Sequence, residues 1–230
     1  MTNIELAPAF LLHRRTYQGN SLLLDFLTRD HGKIRLVARG IRKSKAPIQM
    51  FQCLKISFKG RGELKTLANI ESFDVPRRLL GNDLVLAIYA NELLSRLLPE
   101  AEPHPGVFSS YQQFVENISQ SSDDEQQLAL RLFENRLLEE LGYGLDFRFD
   151  FSGSPISPTM NYDFAEQEGF VGNSGGKISG KILLKFASDA MPSLSATELK
   201  VAKYLNRQRL RALLGEKPLK SRELFVVRSL

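Results

Sequence analysis

GKIRLVARGIRKSK, residues 32–45, is the stretch on which the reading of this chain turns. Between Arg29 and Lys45 seven side chains are basic (Arg29, Lys33, Arg35, Arg39, Arg42, Lys43 and Lys45) against one acid, Asp30. In the first half Lys33, Arg35 and Val37 alternate with Ile34, Leu36 and Ala38, the period of two that marks a strand with one wet and one buried face. The second half, 40–47, has no period. A basic strand running into a basic loop suits a charged polymer better than a small substrate.

Around this stretch the first seventy or so residues read as short strands, at 9–15, 21–28, 33–39, 53–59 and 65–71. Turn signals separate them: Gln18-Gly19-Asn20, Asp30-His31-Gly32, the 40–47 loop and Gly60-Arg61-Gly62. Five strands with one long basic loop fit a small Greek-key barrel of the oligonucleotide-binding type (OB-fold) better than a sandwich, which needs about seven. Beyond Pro76 the period changes. Residues 82–98 place apolar side chains at 86, 89, 93, 94 and 97, one face of a helix, and further helices are expected at 107–118 and 125–141, the last closed by Gly142. Their apolar stripes predict a core shared by the three. From 146 to 182 Ser, Pro, Gly and Asn recur, which predicts a loop-rich insert or small hairpin. Ser195 and Glu198 form a capping box that opens a helix running to about Leu214, with Gly215 beyond it. That helix is strongly basic, with Lys200, Lys203, Arg207, Arg209 and Arg211. The expected organisation is α+β and multidomain: a five-stranded barrel at 1–80 and a mainly helical region at 81–230.

The chain has 230 residues, 43% hydrophobic and 25% charged, which predicts an ordinary packed core. Its one cysteine, Cys53, rules out an internal disulfide or a four-cysteine zinc site and is expected to serve as a small buried hydrophobe. The N-terminus lacks the basic and apolar regions of a secretory signal, and no run approaches the ~18 apolar residues that span a bilayer, so a cytoplasmic location is expected. The net charge of +5 hides a strong segregation. Residues 1–81 carry 15 basic and 6 acidic side chains, residues 82–168 carry 4 and 16, and residues 169–230 carry 12 and 4. Two basic ends around an acidic middle point to a polyanionic partner more than to scattered solvated faces.

Tyr17, Phe26, Phe51, Phe58 and Phe73 are candidates for stacking on bases, although a small barrel needs most of its phenylalanines inside. Gly60-Arg61-Gly62 lacks the helix and the Lys-Ser or Lys-Thr pair of a nucleotide P-loop and reads as a hairpin turn. Glu134, Glu139, Glu140, Asp146 and Asp150 are candidates for a two-metal nuclease centre, but Glu139 and Glu140 diverge on their helix and solvated faces explain them better. His13, His31 and His104 lack zinc or triad spacing. No catalytic residues, metal site or cofactor are expected. Arg131, one of four basic residues in the acidic block, sits beside Leu128, Leu132 and Leu138. Two readings of it stay open: a clamp for a carboxylate at the edge of an apolar groove, or a helix ion pair with Glu134.

Taken in order, LLLDFLT with HGKIRLVARGIRKSK (22–45), GRGELKTL (60–67), YANELLSRLL (89–98), LGYG (141–144) and KPLKSRELF (217–225) resemble the bacterial RecO family of recombination mediators over nearly the whole chain. The resemblance implies an N-terminal OB-fold barrel, a helical C-terminal region and a non-enzymatic role in homologous recombination and gap repair, in the cytoplasm with the nucleoid. Such proteins bind single- and double-stranded DNA, anneal complementary strands, engage the acidic C-terminal tail of single-strand-binding protein, and work with RecR to load RecA. Some carry a four-cysteine zinc module after LGYG. This chain has no cysteine there, so the region is expected to be a remnant that packs without metal. Phosphate contacts are expected from Lys33, Arg35, Arg39, Arg42, Lys43, Lys45, Arg61 and Lys65, with a second basic site at Lys217, Lys220 and Arg222. Arg131 is the expected clamp for the partner's terminal carboxylate. The alternatives are an RNA-binding OB-fold protein of ribosome assembly or translation, and a metal-dependent nuclease.

Overall fold

The computed structural model describes residues 3–39, 48–62, 64–188 and 194–226. Contacts divide the chain into two compact units, Met1–Ser119 with Lys217–Leu230, and Gln120–Glu216.

The first unit is built on β1 (Asn3–Tyr17), β2 (Ser21–Thr28), β3 (Gly32–Ala38), β4 (Cys53–Lys59) and β5 (Leu64–Ser72). They close into a barrel in the order β1-β2-β3-β5-β4, antiparallel except where β3 meets β5. The expected first strand, 9–15, is longer because β1 serves two neighbours: Asn3 to Phe10 pair with β4 and Ala9 to Tyr17 with β2. Register shifts between Ile4 and Ala7, where Leu6 has φ +41°, and between Leu11 and His13 bend it around the barrel. The irregularity at Leu6 hides residues 3–8 from a period-two reading.

Ala9, Leu11, Leu24, Phe26, Ile34, Leu36, Ala38, Leu54, Ile56 and Phe58 fill the barrel. Cys53 is buried, and burial first, with the nearby Asp74 charge, pushes its thiol up to about 11, so it stays protonated and inert. β1 is buried on both faces, because Phe10 packs outward on Phe108 and Tyr111, at ring separations of 5.3 and 5.0 Å. These rings belong to α2 (Pro105–Asn117), which with α1 (Gly81–Leu97) completes this unit. Asn91 of α1 donates to the Leu12 carbonyl at 3.2 Å and accepts from the Tyr111 hydroxyl, so the buried polar groups are paired. Gly32 is required: its φ is +65°, and a Cβ there would lie 2.1 Å from the Glu102 carbonyl oxygen.

The second unit holds α3 (Asp123–Glu140), β6 (Asn161–Ala165), β7 (Gly169–Gly172), β8 (Ile178–Ser179), α4 (Gly180–Phe186) and α5 (Ala196–Leu214). The three helices expected to share one core are therefore divided. The apolar stripes of α1 and α2 go to the barrel unit, while α3 packs with α5. Periodicity shows that a face is buried and leaves its partner open. Of the two expectations for the insert the small hairpin is present, as antiparallel β6 and β7, and β8 and a short helix extend it beyond that expectation, in the sheet order β7-β6-β8. In the insert the alternation at 160–164 and 169–171 falls on β6 and β7, whereas β8, with two residues, is too short to show a period. Ile156, Tyr162, Phe170, Ile178, Leu183 and Leu205 form its core, flanked by Phe147, Phe164 and Phe186. The Phe147 ring lies 5.6 Å from both Phe170 and Phe186, so aromatic packing holds together the cysteine-free segment.

Candidate nucleic-acid interface

In a five-stranded OB barrel, oligonucleotides lie across strands 2 and 3 between the first and last hairpin loops. Here that place is a depression of about 290 Å³ lined by Tyr17, Gln18, Ser21, Val37, Arg39, Leu64, Lys65 and Thr66. The parallel register of β3 and β5, Leu36 opposite Lys65 and Val37 opposite Thr66, brings Arg39 and Lys65 to the same rim although 26 residues separate them. Arg39 is exposed, Lys65 is half-buried with its ammonium 5.9 Å from the Phe58 ring, and Arg61 is exposed on the turn between β4 and β5. None of the three forms an ion pair among the described residues. Arg42, Lys43 and Lys45 lie outside the described residues.

Lys33 and Arg35 have intramolecular partners. The Lys33 ammonium donates to the Ser95 carbonyl at 2.8 Å near the end of α1, and burial lowers its pKa. Arg35 pairs with Asp25 at 2.6 Å and with Glu100 at 3.4 Å. These two basic side chains tie residues 95–100 to the barrel wall. Val37, expected on their wet face, is buried.

Burial also sorts the aromatics. Phe26, Phe51 and Phe58 are buried. Tyr17 lines the depression with its ring partly open, and Phe73 is 55% exposed beneath the Lys55 ammonium, 4.4 Å from the ring centre. Sequence reading could not rank them, because which strand face is inside depends on register.

Lys217, Lys220 and Arg222 are exposed on the segment that leads into α6 (Ser221–Val226). Two residues of α1, one turn apart, pin that segment. Arg96 donates to the Lys217 and Pro218 carbonyls at 2.8 and 3.0 Å, and Glu92 accepts from the Lys220 N–H, the Ser221 N–H and the Ser221 hydroxyl at 2.9, 2.8 and 2.7 Å. Burial would raise the Glu92 pKa, but the bonds from Ser221 and Lys220 outweigh it and hold it below the ordinary 4.5. A carboxylate so depressed stabilises the fold fully above its unfolded-state pKa, and that increment is lost as the pH falls through the lower folded-state value. Glu92→Ala is expected to cost about 1 kcal/mol, as for a lost helix cap. It should also raise hydrogen exchange at the Lys220 and Ser221 amides, with no change at the barrel amides. Unchanged protection at those two amides would remove this role.

In the second unit Arg131 is 6% exposed and pairs with the fully buried Glu134 at 2.8 Å, the helix ion pair of the sequence reading. The pair is part of a larger network. Asn206 donates to Glu134 at 2.9 Å and to the Arg131 carbonyl at 3.1 Å, and accepts from Arg209. Arg209, also buried, donates to the Tyr143 carbonyl at 3.1 Å and to Asn135 at 3.0 Å, and burial pulls its pKa down to about 10. Two buried guanidiniums thus sit with one buried carboxylate, and Nε of each lacks a partner. Arg131, Asn135 and Asn206 share the walls of a small cleft, about 30 Å³, with Phe147, Phe186, Leu194, Ala202 and Leu205. A cleft with an apolar floor and an excess buried cation favours an anionic end group that carries apolar neighbours. Asn206 and Arg209 were not legible as part of this site, because 75 residues separate Asn206 from Arg131. Among the described residues no three His, Cys, Asp or Glu side chains form a metal-sized group.

The closed five-stranded barrel in the order β1-β2-β3-β5-β4 defines an OB-fold protein. The family model described as "Recombination protein O N terminal" matches residues 1–75, and "Recombination protein O C terminal" matches residues 81–223. Similar proteins named "DNA repair protein RecO" include those of Proteus mirabilis (40% identical, covering 94% of this chain and 90% of the relative), Actinobacillus pleuropneumoniae (38%, 94% and 92%) and Coxiella burnetii (38%, 96% and 98%). The chain belongs to the recombination protein O family, whose similar members are DNA repair proteins. Among the described residues no helix is long and apolar enough to cross a membrane.

Proposed function

We propose that this chain is a non-catalytic mediator of recombinational repair. It binds single- and double-stranded DNA on the barrel, anneals complementary strands, and works with RecR to help load RecA onto strands coated by single-strand-binding protein. The observation that carries this reading is the depression with Arg39 and Lys65 on its rim and Tyr17 in its wall. Cations there meet phosphates while an aromatic ring accepts a base, a combination that binds strands with little sequence preference. Annealing follows when cationic surfaces hold two strands and reduce their repulsion. The Arg131 cleft is the proposed seat for the acidic, carboxylate-ended tail of single-strand-binding protein, supported by the buried guanidinium in its wall beside apolar Phe147, Phe186 and Leu194.

Fluorescence annealing of complementary oligonucleotides, bare and coated with single-strand-binding protein, tests this. Wild type should anneal both substrates, and Arg131→Ala should slow only the coated one. Failure of wild type on both would overturn the reading. Tight binding of RNA with weak binding of DNA of the same sequence would favour an RNA-binding OB-fold protein instead.

A further inference from the structure

We propose that the exposed face of α5 is a second nucleic-acid backbone surface, carried on the 120–216 unit and made of residues other than those of the barrel rim. This rests on the DNA-binding reading above. Lys200, Lys203, Tyr204, Arg207 and Arg211 follow one another at intervals of 3, 1, 3 and 4 residues, so they share one side of the helix, and all five are exposed. Leu199, Leu205, Asn206, Arg209 and Leu210 face the other way and are buried. From Lys200 to Arg211 the stripe runs about 16 Å.

Solvated helix faces commonly interleave acids with bases, as α3 does where Arg136 pairs with Glu140. Helix α5 does not: its only acid is Glu198 in the first turn, and that carboxylate is held by Lys185 at 2.7 Å. Lys200, Lys203, Arg207 and Arg211 form no ion pair among the described residues. Instead Lys203 and Arg207, and Arg207 and Arg211, are like charges four residues apart, an arrangement that destabilises a helix by a few tenths of a kcal/mol per pair. Partial burial, then the neighbouring Arg207 and Arg131 charges, lower the pKa of Lys203 and outweigh the opposing attraction of Glu134. A row of like charges with no ion pair among the described residues is relieved by an external anion. A linear row with Tyr204, 40% exposed, among its cations matches a phosphate backbone with an adjacent base better than a compact anion.

The test uses the full chain with Lys200→Glu/Arg207→Glu/Arg211→Glu, and separately with Tyr204→Ala and Tyr204→Phe. Circular dichroism and melting confirm folding; should the triple reversal unfold, the same three positions are changed to Gln. Binding of a labelled single-stranded oligonucleotide is followed across salt, together with annealing of bare strands and binding of an acidic carboxylate-ended peptide. Removing about three phosphate contacts should make the slope of log affinity against log salt shallower by roughly 2. Annealing should fall at least about tenfold, Tyr204→Ala should weaken binding while Tyr204→Phe does not, and peptide binding should persist. If DNA binding and annealing are unchanged while Arg39→Glu/Lys65→Glu lowers both, this inference is overturned and the barrel reading stands. If neither set of variants alters DNA binding, the DNA-binding reading fails and this surface with it. Loss of peptide binding with DNA binding intact would assign the stripe to an acidic protein segment and also overturn the proposal.

Discussion

Glu134→Ala is expected to destabilise the 120–216 unit by about 3–5 kcal/mol, the cost of breaking a buried ion pair from one side. The side chain is fully buried, pairs with Arg131 and accepts from Asn206. Its removal leaves two buried guanidiniums without their buried carboxylate, Arg209 keeping only neutral hydrogen-bond partners and the weaker attraction of Glu139. It also leaves the Asn206 amide short of one acceptor. Urea denaturation followed by far-UV circular dichroism measures the loss. The double variant Arg131→Met/Glu134→Leu should lose less than the single one, because it removes both members of the pair and restores apolar packing. A single-variant loss below about 1 kcal/mol would mean that water reaches the network and that the burial argument is wrong. The double variant is expected to fold without Arg131, which separates stability from recognition, and on the proposed function it should fail specifically on coated strands.

Arg39→Glu/Lys65→Glu is expected to lower single-strand affinity by about ten- to a hundredfold near 0.1 M salt, and to make the salt slope shallower by roughly 1.4, about 0.7 for each phosphate that is no longer neutralised. Arg39 is exposed and Lys65 sits half-buried at the rim, so the barrel core is untouched. Arg35→Ala is the informative contrast. Arg35 is engaged with Asp25 and Glu100, and its hydrogen bond to Asp25 raises its pKa. Its loss should lower the melting temperature, at a cost of up to about 1 kcal/mol for a partly exposed pair, while the salt slope stays nearly unchanged. Equal effects of the two variants on the salt slope would mean that Arg35 leaves its partners to meet DNA, and an unchanged slope in the double variant would move the interface off this rim.

The fold was legible wherever a local period survives. The ranges read for β2 and β4 coincide with the observed strands, and α1 and α3 begin within two residues of where their apolar spacing places them. The capping box of Ser195 and Glu198 fixes the start of α5 because it is a local hydrogen-bond pair. Local patterns fail where a residue's task is set by something distant. The bulge at Leu6 conceals residues 3–8 of β1, and in the insert the aromatic contacts that hold the short strands together join residues distant in sequence, which no period announces.

The candidate site divides in the same way. Sequence by itself determined that the chain is α+β, that it opens with a five-stranded barrel carrying a basic loop, and that basic charge gathers at its two ends, because strand period, helix period and charge are written along the chain. Only the tertiary structure decided which of those charges remain unpaired. Lys33 and Arg35 look like Arg39 and Lys65 in sequence, yet the first two meet a carbonyl and two carboxylates brought to them by residues 25 and 95–100. Likewise Arg131 became part of a cleft only when α5 supplied Asn206 and Arg209 beside it. Whether a cation is available to a partner depends on what the fold places within a few ångströms of it, and that proximity is fixed by long-range packing.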